Sequence, residues 1–263
     1  MMGKEQVTNS ESRIDYIFKV INGSQEEYLL DMEMDSIWFK MNISGEIVEG
    51  SALRNQSKPG ILSRSLIEIS KKHLKIHLSG QGEVLSVTGA DTLFHSVVDS
   101  YKQIPEQVRT ALKEALDQRF GNETFQLELN NILFIYSPKA IKAGGHWQTS
   151  VPLASGLPGL TQNSWTQNEQ TDRLLNISSL GKITPPSKND FQSINGMMMK
   201  YELNGNKDAS YKIDKQSGWI NSASIKEGIT GMVRMKASPK IPDAISWPIS
   251  IDWTVECTGN RLR

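Results

Sequence analysis

Apolar and polar residues alternate along several segments of this chain, and this period of two is the feature that most limits its fold. From residue 28 to residue 35, apolar side chains alternate with the acids Asp31, Glu33 and Asp35. Residues 72–78 repeat the pattern, with an aliphatic side chain at every second position. Such alternation places one face of a β-strand on a core and the other face in water. The chain is therefore predicted to consist largely of half-buried strands.

Turn signals join neighbouring strands into hairpins. Residues 79–82 separate the strand at 72–78 from a strand that begins at Glu83, and residues 215–218 separate 208–214 from 218–226. Glycine suits such short connections because it adopts a positive φ without strain. Further strands are predicted at 124–136, 173–184, 196–204, 229–237 and 247–258.

The apolar spacing becomes helical between residues 91 and 120. Two helices are predicted, at about 91–102 and 105–120, because apolar side chains recur three or four residues apart in each segment. Pro105 suits the first position of a helix, and Gly121 suits a helix end. Antiparallel hairpins with a helical pair predict an α+β fold, mostly antiparallel β, in which hairpin-built twisted sheets carry the two helices on one face.

Glycine, proline and serine are concentrated at residues 143–145 and 152–158. This composition is typical of a connection between folded parts. We therefore expect an N-terminal β-rich subdomain with the helical pair at 1–145 and a C-terminal antiparallel β subdomain at 146–263.

The composition argues against several classes of protein. The 263 residues carry 29 Lys and Arg and 29 Asp and Glu, so the chain lacks the basic excess of a nucleic-acid-binding protein. A single cysteine excludes an internal disulfide and a zinc or iron–sulfur site with several cysteines. The zero net charge is an average, because residues 1–50 contain ten acids and four bases, a net charge of −6, against +6 for the rest. We expect no metal, no cofactor and no nucleic acid.

The ionisable residues form no recognisable catalytic motif. His73 and His77 have the spacing of a helical metal site, but the period of two places them on a strand, about 13 Å apart. The acidic stripe Asp31, Glu33 and Asp35 has strand spacing that could serve glycosidase or calcium chemistry, although an outward-facing charged strand accounts for it as well. We predict no catalytic residue, and we assign these three acids to a partner-binding surface.

Five of the six tryptophans lie in the second half of the chain, together with Met197, Met198 and Met199. Such side chains can line a pocket for an apolar ligand, and they can equally fill a β core. His146, Trp147 and Trp219 adjoin glycine-rich turns, and we predict them to be ligand-binding residues. Cys257 shares an apolar strand face with its neighbours at 253 and 255, which is typical of a core residue.

No apolar run approaches the length of about 20 residues that a membrane-spanning helix needs. The first dozen residues are polar and show no signal peptide or lipobox cysteine. We therefore expect either a cytoplasmic protein or one from which an export signal has been removed.

Four segments together resemble one protein family. They are residues 77–89, 104–105, 138–147 and 209–220. Their order is similar to that in a family of uncharacterised exported proteins, many of them predicted lipoproteins, from Bacteroidetes-type bacteria, and the similarity extends from about Tyr28 to Thr254. The resemblance implies a periplasmic or outer-membrane-attached protein with its signal peptide removed and with membrane attachment only through a lipid anchor. It implies no reaction and no catalytic residue.

Three hypotheses for function follow. The first is a non-enzymatic envelope protein that binds a partner protein or an apolar ligand through a sheet face or a groove. The second is a hydrolase that uses carboxylates or His146, and it requires two ionisable side chains to converge in a cleft. The third is a structural or assembly module that self-associates through exposed edge strands.

Overall fold

The structure is a computed structural model, and it describes residues 7–24, 26–43, 45–52, 61–70, 72–100, 102, 105–107, 109–110, 113–114, 121–153, 157–186, 190–194, 196–238 and 241–260. The chain divides into two compact units, Met1–Leu129 and Asn130–Arg263. The domain boundary near residue 145 stays a prediction about which parts fold independently.

The first unit contains one antiparallel sheet of five strands. Its elements are β1 (Thr8–Gly23), β2 (Glu27–Ile43), β3 (Glu46–Ser51), α1 (Ile61–Ser70), β4 (His73–Ser79), β5 (Val84–Thr88) and α2 (Ala90–Ser100). The strand order is β1-β2-β4-β5, with β3 also paired to β2. Strand β2 is the centre of this sheet, because β1 pairs along its whole length while β4 and β3 share its other side.

The second unit contains an antiparallel sheet of seven strands. Its elements are β6 (His146–Pro152), β7 (Leu160–Gln170), β8 (Leu174–Thr184), β9 (Gln192–Ile194), β10 (Met197–Asp214), β11 (Ile220–Met235) and β12 (Ile245–Thr258). The strand order is β12-β11-β10-β8-β7-β6, with β9 also paired to β10. The predicted fold class, α+β and mostly antiparallel β, is confirmed.

The alternating segments form the predicted strands. Leu30, Met32 and Met34 of β2 are buried, as are Leu74 and Ile76 of β4. The hairpin between β10 and β11 is also present where it was predicted. Gly218 in its turn has a φ of 73°, and the Asp214 carboxylate accepts hydrogen bonds at 2.8 Å from the Ser217 amide and hydroxyl.

The strand predicted at 124–136 is wrong, because these residues belong largely to a helix, α3 (Asn122–Leu133). Phe125, Leu129 and Leu133 are buried and lie four residues apart, which is a helical spacing. The start of α3 is tied to the start of α2. The Asn122 side-chain oxygen accepts from the Ala90 amide, and the Asp91 carboxylate accepts from the Asn122 amide, both at 2.9 Å.

The helices differ from the predicted pair in number. The helix predicted at 91–102 is present as α2, whereas α1 was not predicted and contacts β2, β3 and α2. The helix predicted at 105–120 lies mostly outside the described residues. The residues of this segment that the structure describes as helical are 106–107, 109–110 and 113–114. Strands β1, β3, β6, β7 and β9 are not among the predicted ones, and in β1, β6 and β7 polar side chains weaken the alternation.

No helix in the described ranges combines the length and the apolar character needed to cross a membrane.

Candidate functional site

Strand β12 forms one edge of the second sheet and has an apolar side chain at every inward position. These positions are half-buried and alternate with exposed ones, except that the inward Trp253 is exposed as well. Together they form the β12 stripe, which consists of Ile245, Trp247, Ile249, Ile251, Trp253, Val255 and Cys257. No residue of the stripe is fully buried, and Trp253 is 37% exposed. On the neighbouring β11, by contrast, inward residues such as Ile225 and Val233 are buried. The stripe is therefore a partly uncovered apolar surface.

The register of β12 on β11 decides which main-chain groups are free. The two strands pair without a shift along the whole of β12. Just beyond the strand, the Gly259 amide donates to the Asn221 carbonyl at 2.8 Å. Because hydrogen-bonded and non-hydrogen-bonded pairs alternate in an antiparallel ladder, odd-numbered residues of β12 direct their main-chain groups at β11. Even-numbered residues direct theirs away from the sheet, where no strand of the described ranges pairs with them.

Pro248 is even-numbered, so its missing N–H lies on this free edge. A proline there interrupts the row of outward donors without weakening the ladder to β11. The unobstructed part of the edge consists of Ser250, Asp252, Thr254, Glu256 and Thr258, all of them exposed.

A row of polar side chains crosses the inward face of the second sheet and ends at the β12 stripe. Each member faces the next in register on the neighbouring strand. The row, called the polar row below, runs through Thr149, Asn163, Gly181, Lys207 and Glu227. Glu227 in turn faces Trp253. All four side chains are buried, between one apolar cluster that contains Trp165 and Tyr211 and another that contains Leu203 and Ile229.

The polar row contains two buried ionisable groups. The Lys207 ammonium donates to the Asn131 carbonyl at 3.0 Å and to the Asn131 side-chain oxygen at 3.5 Å. Burial lowers the pKa of Lys207, and the negative charge of Glu227 acts against that shift. Burial likewise raises the pKa of Glu227, against the effect of Lys207. Burial is the larger influence on both groups, so the sheet interior disfavours the charged form of each.

The centre of the polar row leaves little room for a side chain. A Cβ at Gly181 would lie 2.7 Å from Asn163 Oδ1 and 3.0 Å from Lys207 Cβ. The neighbouring Thr161 and Ser179 hydroxyls and the Asn163 side-chain oxygen are buried without a hydrogen-bond partner among the described residues. This region of the sheet is therefore both crowded and polar.

The sequence itself contains a signal for the polar row. Lys207 shares strand parity with the buried Leu203, Ala209 and Tyr211, and Glu227 shares it with Ile225 and Ile229. A charged residue in phase with an apolar face is a candidate for a buried ionisable group.

Trp147, a predicted ligand-binding residue, packs into the core of the second sheet. Its ring stacks on that of Trp165, with centroids 6.1 Å apart and planes 13° apart, and its Nε1 donates to the Ile135 carbonyl at 3.1 Å. Trp165 is buried, donates to Thr149 Oγ1 at 2.8 Å and meets the Tyr211 ring edge-on at 5.7 Å. These rings form part of an apolar cluster.

The other two predicted ligand-binding residues lie in different places. His146 begins β6 and is exposed, and its Nδ1 lies 3.0 Å from Thr166 Oγ1. Trp219 is half-buried and follows the β10–β11 turn, where its carbonyl accepts from the Asp214 amide at 2.9 Å. Ligand binding by these residues stays a prediction.

The predicted partner-binding acids lie at the centre of the first sheet. The Asp31 carboxylate contacts Lys75 Nζ at 2.6 Å and His73 Nδ1 at 2.7 Å, and Glu33 lies 3.5 Å from His73 Nε2. The hydrogen bond from Lys75 holds the pKa of Asp31 below its ordinary value, with a further contribution from His73. Asp35 is exposed. Much of the negative charge on this stripe is therefore matched by bases on β4, and partner binding there stays a prediction.

The remaining candidate groups are separated along the strands. His73 and His77 lie on β4, as the period of two predicts, and His77 pairs with Glu27 at 2.8 Å. Among the described residues, no group of three or more His, Cys, Asp and Glu side chains is arranged to hold a metal ion. Burial raises the pKa of the half-buried Cys257 thiol, which is opposite to the shift that activates a nucleophilic cysteine.

Two shallow surface grooves stand out in the described part of the chain. One, of about 500 Å³, is lined by residues of β8, β10, β11 and β12, among them Asp208, Lys226, Asp252 and Trp253. The other, of about 520 Å³, adjoins Arg173 and Asp214. Neither groove is lined by Trp147 or Trp219.

In the described residues, two antiparallel sheets and the helices α1, α2 and α3 define an α+β protein, and β12 forms one edge of its second sheet. The chain belongs to a family of unknown function (DUF6263), which matches residues 25–220. Strand β12 follows the matched segment. No curated protein and no solved structure is significantly similar to the chain.

Proposed function

We propose that this protein is a non-catalytic binding protein that engages a partner protein through the free edge and the stripe of β12. The single observation that carries the proposal is the uninterrupted apolar character of seven inward positions, none of which is fully buried. Six of these residues pack partly against the apolar clusters of the sheet while Trp253 is exposed, and a contiguous apolar surface that stays partly exposed often marks a contact with another molecule.

The free main-chain edge beside the stripe supports the same proposal. An added strand would gain hydrogen bonds from the outward main-chain groups and contacts from the apolar side chains. Addition of a strand to an exposed sheet edge is a common mode of peptide recognition, in which main-chain bonds supply affinity and alternate side chains supply specificity.

A protein partner is favoured over a small apolar ligand by the packing of the aromatic residues. Trp147 stacks on Trp165, Trp165 meets Tyr211 edge-on, and none of these three residues lines either of the two shallow grooves. A non-catalytic role is favoured over a hydrolase by the placement of His146 and Cys257, which lie on strands at opposite edges of the second sheet.

The experiment places a photoreactive amino acid at Thr254, which is exposed on the β12 edge, and compares it with the same probe at Ser210. Ser210 is exposed at the centre of the same sheet. We expect one protein to be cross-linked from Thr254 and not from Ser210. That protein, once identified and purified, should bind the unmodified chain in solution.

The variant Trp253→Lys should weaken this binding at least about tenfold, because a partly uncovered tryptophan is the kind of residue that dominates an interface. The matched control is Leu180→Lys, since Leu180 is 71% exposed but lies on β8, away from the edge. Unchanged affinity of Trp253→Lys, or equal cross-linking from both probe positions, would contradict the proposal.

We further propose that the protein acts in the cell envelope, attached through a lipid anchor or free in the periplasm. The proposal is supported by the family resemblance of residues 77–89, 138–147 and 209–220. Fractionation of cells that express the entire gene tests it, and recovery of the protein with cytoplasmic markers would contradict it.

A further inference from the structure

The two faces of β12 differ in a way that restricts which strand can lie beside it. The inward face is the apolar stripe, and the outward face carries only polar side chains and Pro248. Neighbouring strands in a sheet share the same two faces. A strand added to this edge must therefore alternate apolar residues with residues that suit the outward face.

The outward face of the edge is acidic. Asp252 and Glu256 are exposed there, and β12 contains no lysine or arginine. Among the described residues of β11 and β12, the base nearest to them on the same face is Lys226, which faces Thr254 from β11 and so lies one strand further from the edge. The side chains of an added strand would lie about 5 Å from those of β12 that face them. A basic side chain at such a position would therefore be close enough to attract the carboxylate opposite to it.

From these observations we infer that the partner of the β12 edge is an extended segment in which lysine or arginine alternates with apolar residues. The basic residues face Asp252 and Glu256, and the apolar residues cover Ile251, Trp253 and Val255. This inference rests on the proposed function, because it names the chemistry of the partner that the edge would bind.

The position of Pro248 sets the extent of the paired segment. Proline offers no donor to an added strand, so uninterrupted pairing is confined to the outward main-chain groups from Ser250 to Thr258. These positions span a partner segment of roughly nine residues, which is within the ordinary length of a strand.

A second copy of this chain matches the edge less well. Two β12 strands paired with each other would bring together two acidic outward faces and no base. They would also place a proline in each strand of the pair. Charge complementarity therefore favours a basic partner segment over self-association.

The test uses three blocked ten-residue peptides and measures their binding to the full chain by fluorescence anisotropy. The first alternates lysine with isoleucine, the second alternates glutamate with isoleucine, and the third has the composition of the first in a shuffled order. We expect the first peptide to bind at least about tenfold more tightly than the other two, with an affinity that falls as salt is added.

Two variants locate this binding on the edge. The double variant Asp252→Lys and Glu256→Lys should reverse the preference between the lysine and glutamate peptides. Thr254→Pro should abolish binding, because Thr254 directs its N–H outward. The matched control is Asp208→Lys, since Asp208 is exposed on the same face but lies on β10, two strands away from the edge.

Three results would overturn the inference. The first is equal affinity of the chain for the lysine and glutamate peptides, while Trp253→Lys still weakens binding of the cross-linked partner. This result would leave the proposed function intact. The second is partner binding that survives both Trp253→Lys and Thr254→Pro, which would remove the proposed function as well. The third is self-association in sedimentation experiments that Thr254→Pro abolishes, which would make a second copy the occupant of the edge.

Discussion

Gly181 shows how one missing methyl group permits the packing of the second sheet. Its neighbours in the polar row are Asn163 and Lys207, and both approach the position that a Cβ would occupy. The chain thus accommodates a buried lysine by placing a residue without a side chain beside it.

Substitution of Gly181 by alanine should destabilise the protein by about 1–3 kcal/mol, because the added methyl group would displace Asn163 and Lys207 in a filled interior. Urea unfolding measures the loss. The matched control is Gly228→Ala, also within a strand, where the nearest atom to a Cβ is Asp252 Oδ1 at 3.4 Å. Equal losses for the two variants would contradict this account of the polar row.

Glu227 should make the stability of the protein depend on pH in an uncommon direction. Burial raises its pKa above the ordinary value of 4.5. Above pH 4.5 the folded state therefore keeps a proton that the unfolded state has lost, and stability falls as pH rises through the raised pKa. The variant Glu227→Gln lacks this titration.

We therefore expect Glu227→Gln to gain stability relative to the parent protein as pH rises from 4.5 toward neutrality. Urea unfolding of both proteins over that range measures the difference. The exposed Glu83→Gln is the control for loss of a carboxylate. A difference between Glu227→Gln and the parent protein that does not change with pH would contradict the prediction.

In strand β12 the alternation of apolar and polar side chains coincides with the alternation of inward and outward main-chain hydrogen-bonding groups. Its odd-numbered residues direct their side chains inward and their main-chain groups at β11. Its even-numbered residues direct their side chains outward and their main-chain groups at the open edge of the sheet. Pro248 occurs at one of the positions where a proline removes no bond within the sheet.

A proline at Val255 should be far more damaging than a proline at Thr254. Val255→Pro removes a ladder hydrogen bond to β11 and should cost about 2–4 kcal/mol, whereas Thr254→Pro should cost less than about 1 kcal/mol. Urea unfolding distinguishes the two variants. A larger loss for Thr254→Pro would show that the assignment of outward and inward main-chain groups is reversed.

At the scale of the whole molecule, a net charge of zero conceals charges that are paired across strands. Asp31 pairs with Lys75 in the first sheet, and Glu202 pairs with Arg234 in the second. Hydrogen bonds from these bases lower the pKa of both acids. The acids therefore favour the folded state when they are ionised.

Acid should consequently destabilise the molecule. An acid whose pKa is lowered on folding stabilises the folded state at any pH above its pKa in the unfolded chain, which is 3.8 for Asp31 and 4.5 for Glu202. This contribution is lost as the pH falls through the lower pKa of the folded state. Urea unfolding at falling pH measures the loss, which should be smaller for Asp31→Asn than for the parent protein. If Asp31→Asn lost as much stability in acid as the parent protein, a role for the pair of Asp31 and Lys75 would be contradicted. Asp35→Asn on the same strand is the control.

Much of the fold could be predicted from sequence because strand alternation is a local signal. The strands at 28–35, 72–78, 173–184 and 247–258 were found in this way, as was the hairpin turn at 215–218. The prediction failed at 124–136, where a short apolar run satisfies a strand and a helix equally, and Phe125, Leu129 and Leu133 follow the helical period.

The candidate site depends less on local pattern than the strands do. Residue type beside glycine-rich turns predicts His146, Trp147 and Trp219 to bind a ligand, which stays a prediction, and the structure shows that Trp147 packs against Trp165. The apolar character of β12 was visible in the sequence, but its position at the edge was not. Edge position depends on which strands pair, and pairing joins residues far apart in the chain.

The sequence by itself determined which residues form strands and which face of each strand is apolar, since both depend on neighbours within a few positions. Only the tertiary structure decided the order of the strands. That order places Lys207 opposite Glu227 and, among the described strands, leaves β12 with one unpaired side. The physical reason is that register and strand order arise from contacts between distant segments, where burial of the inward faces selects one arrangement among many that the local pattern allows.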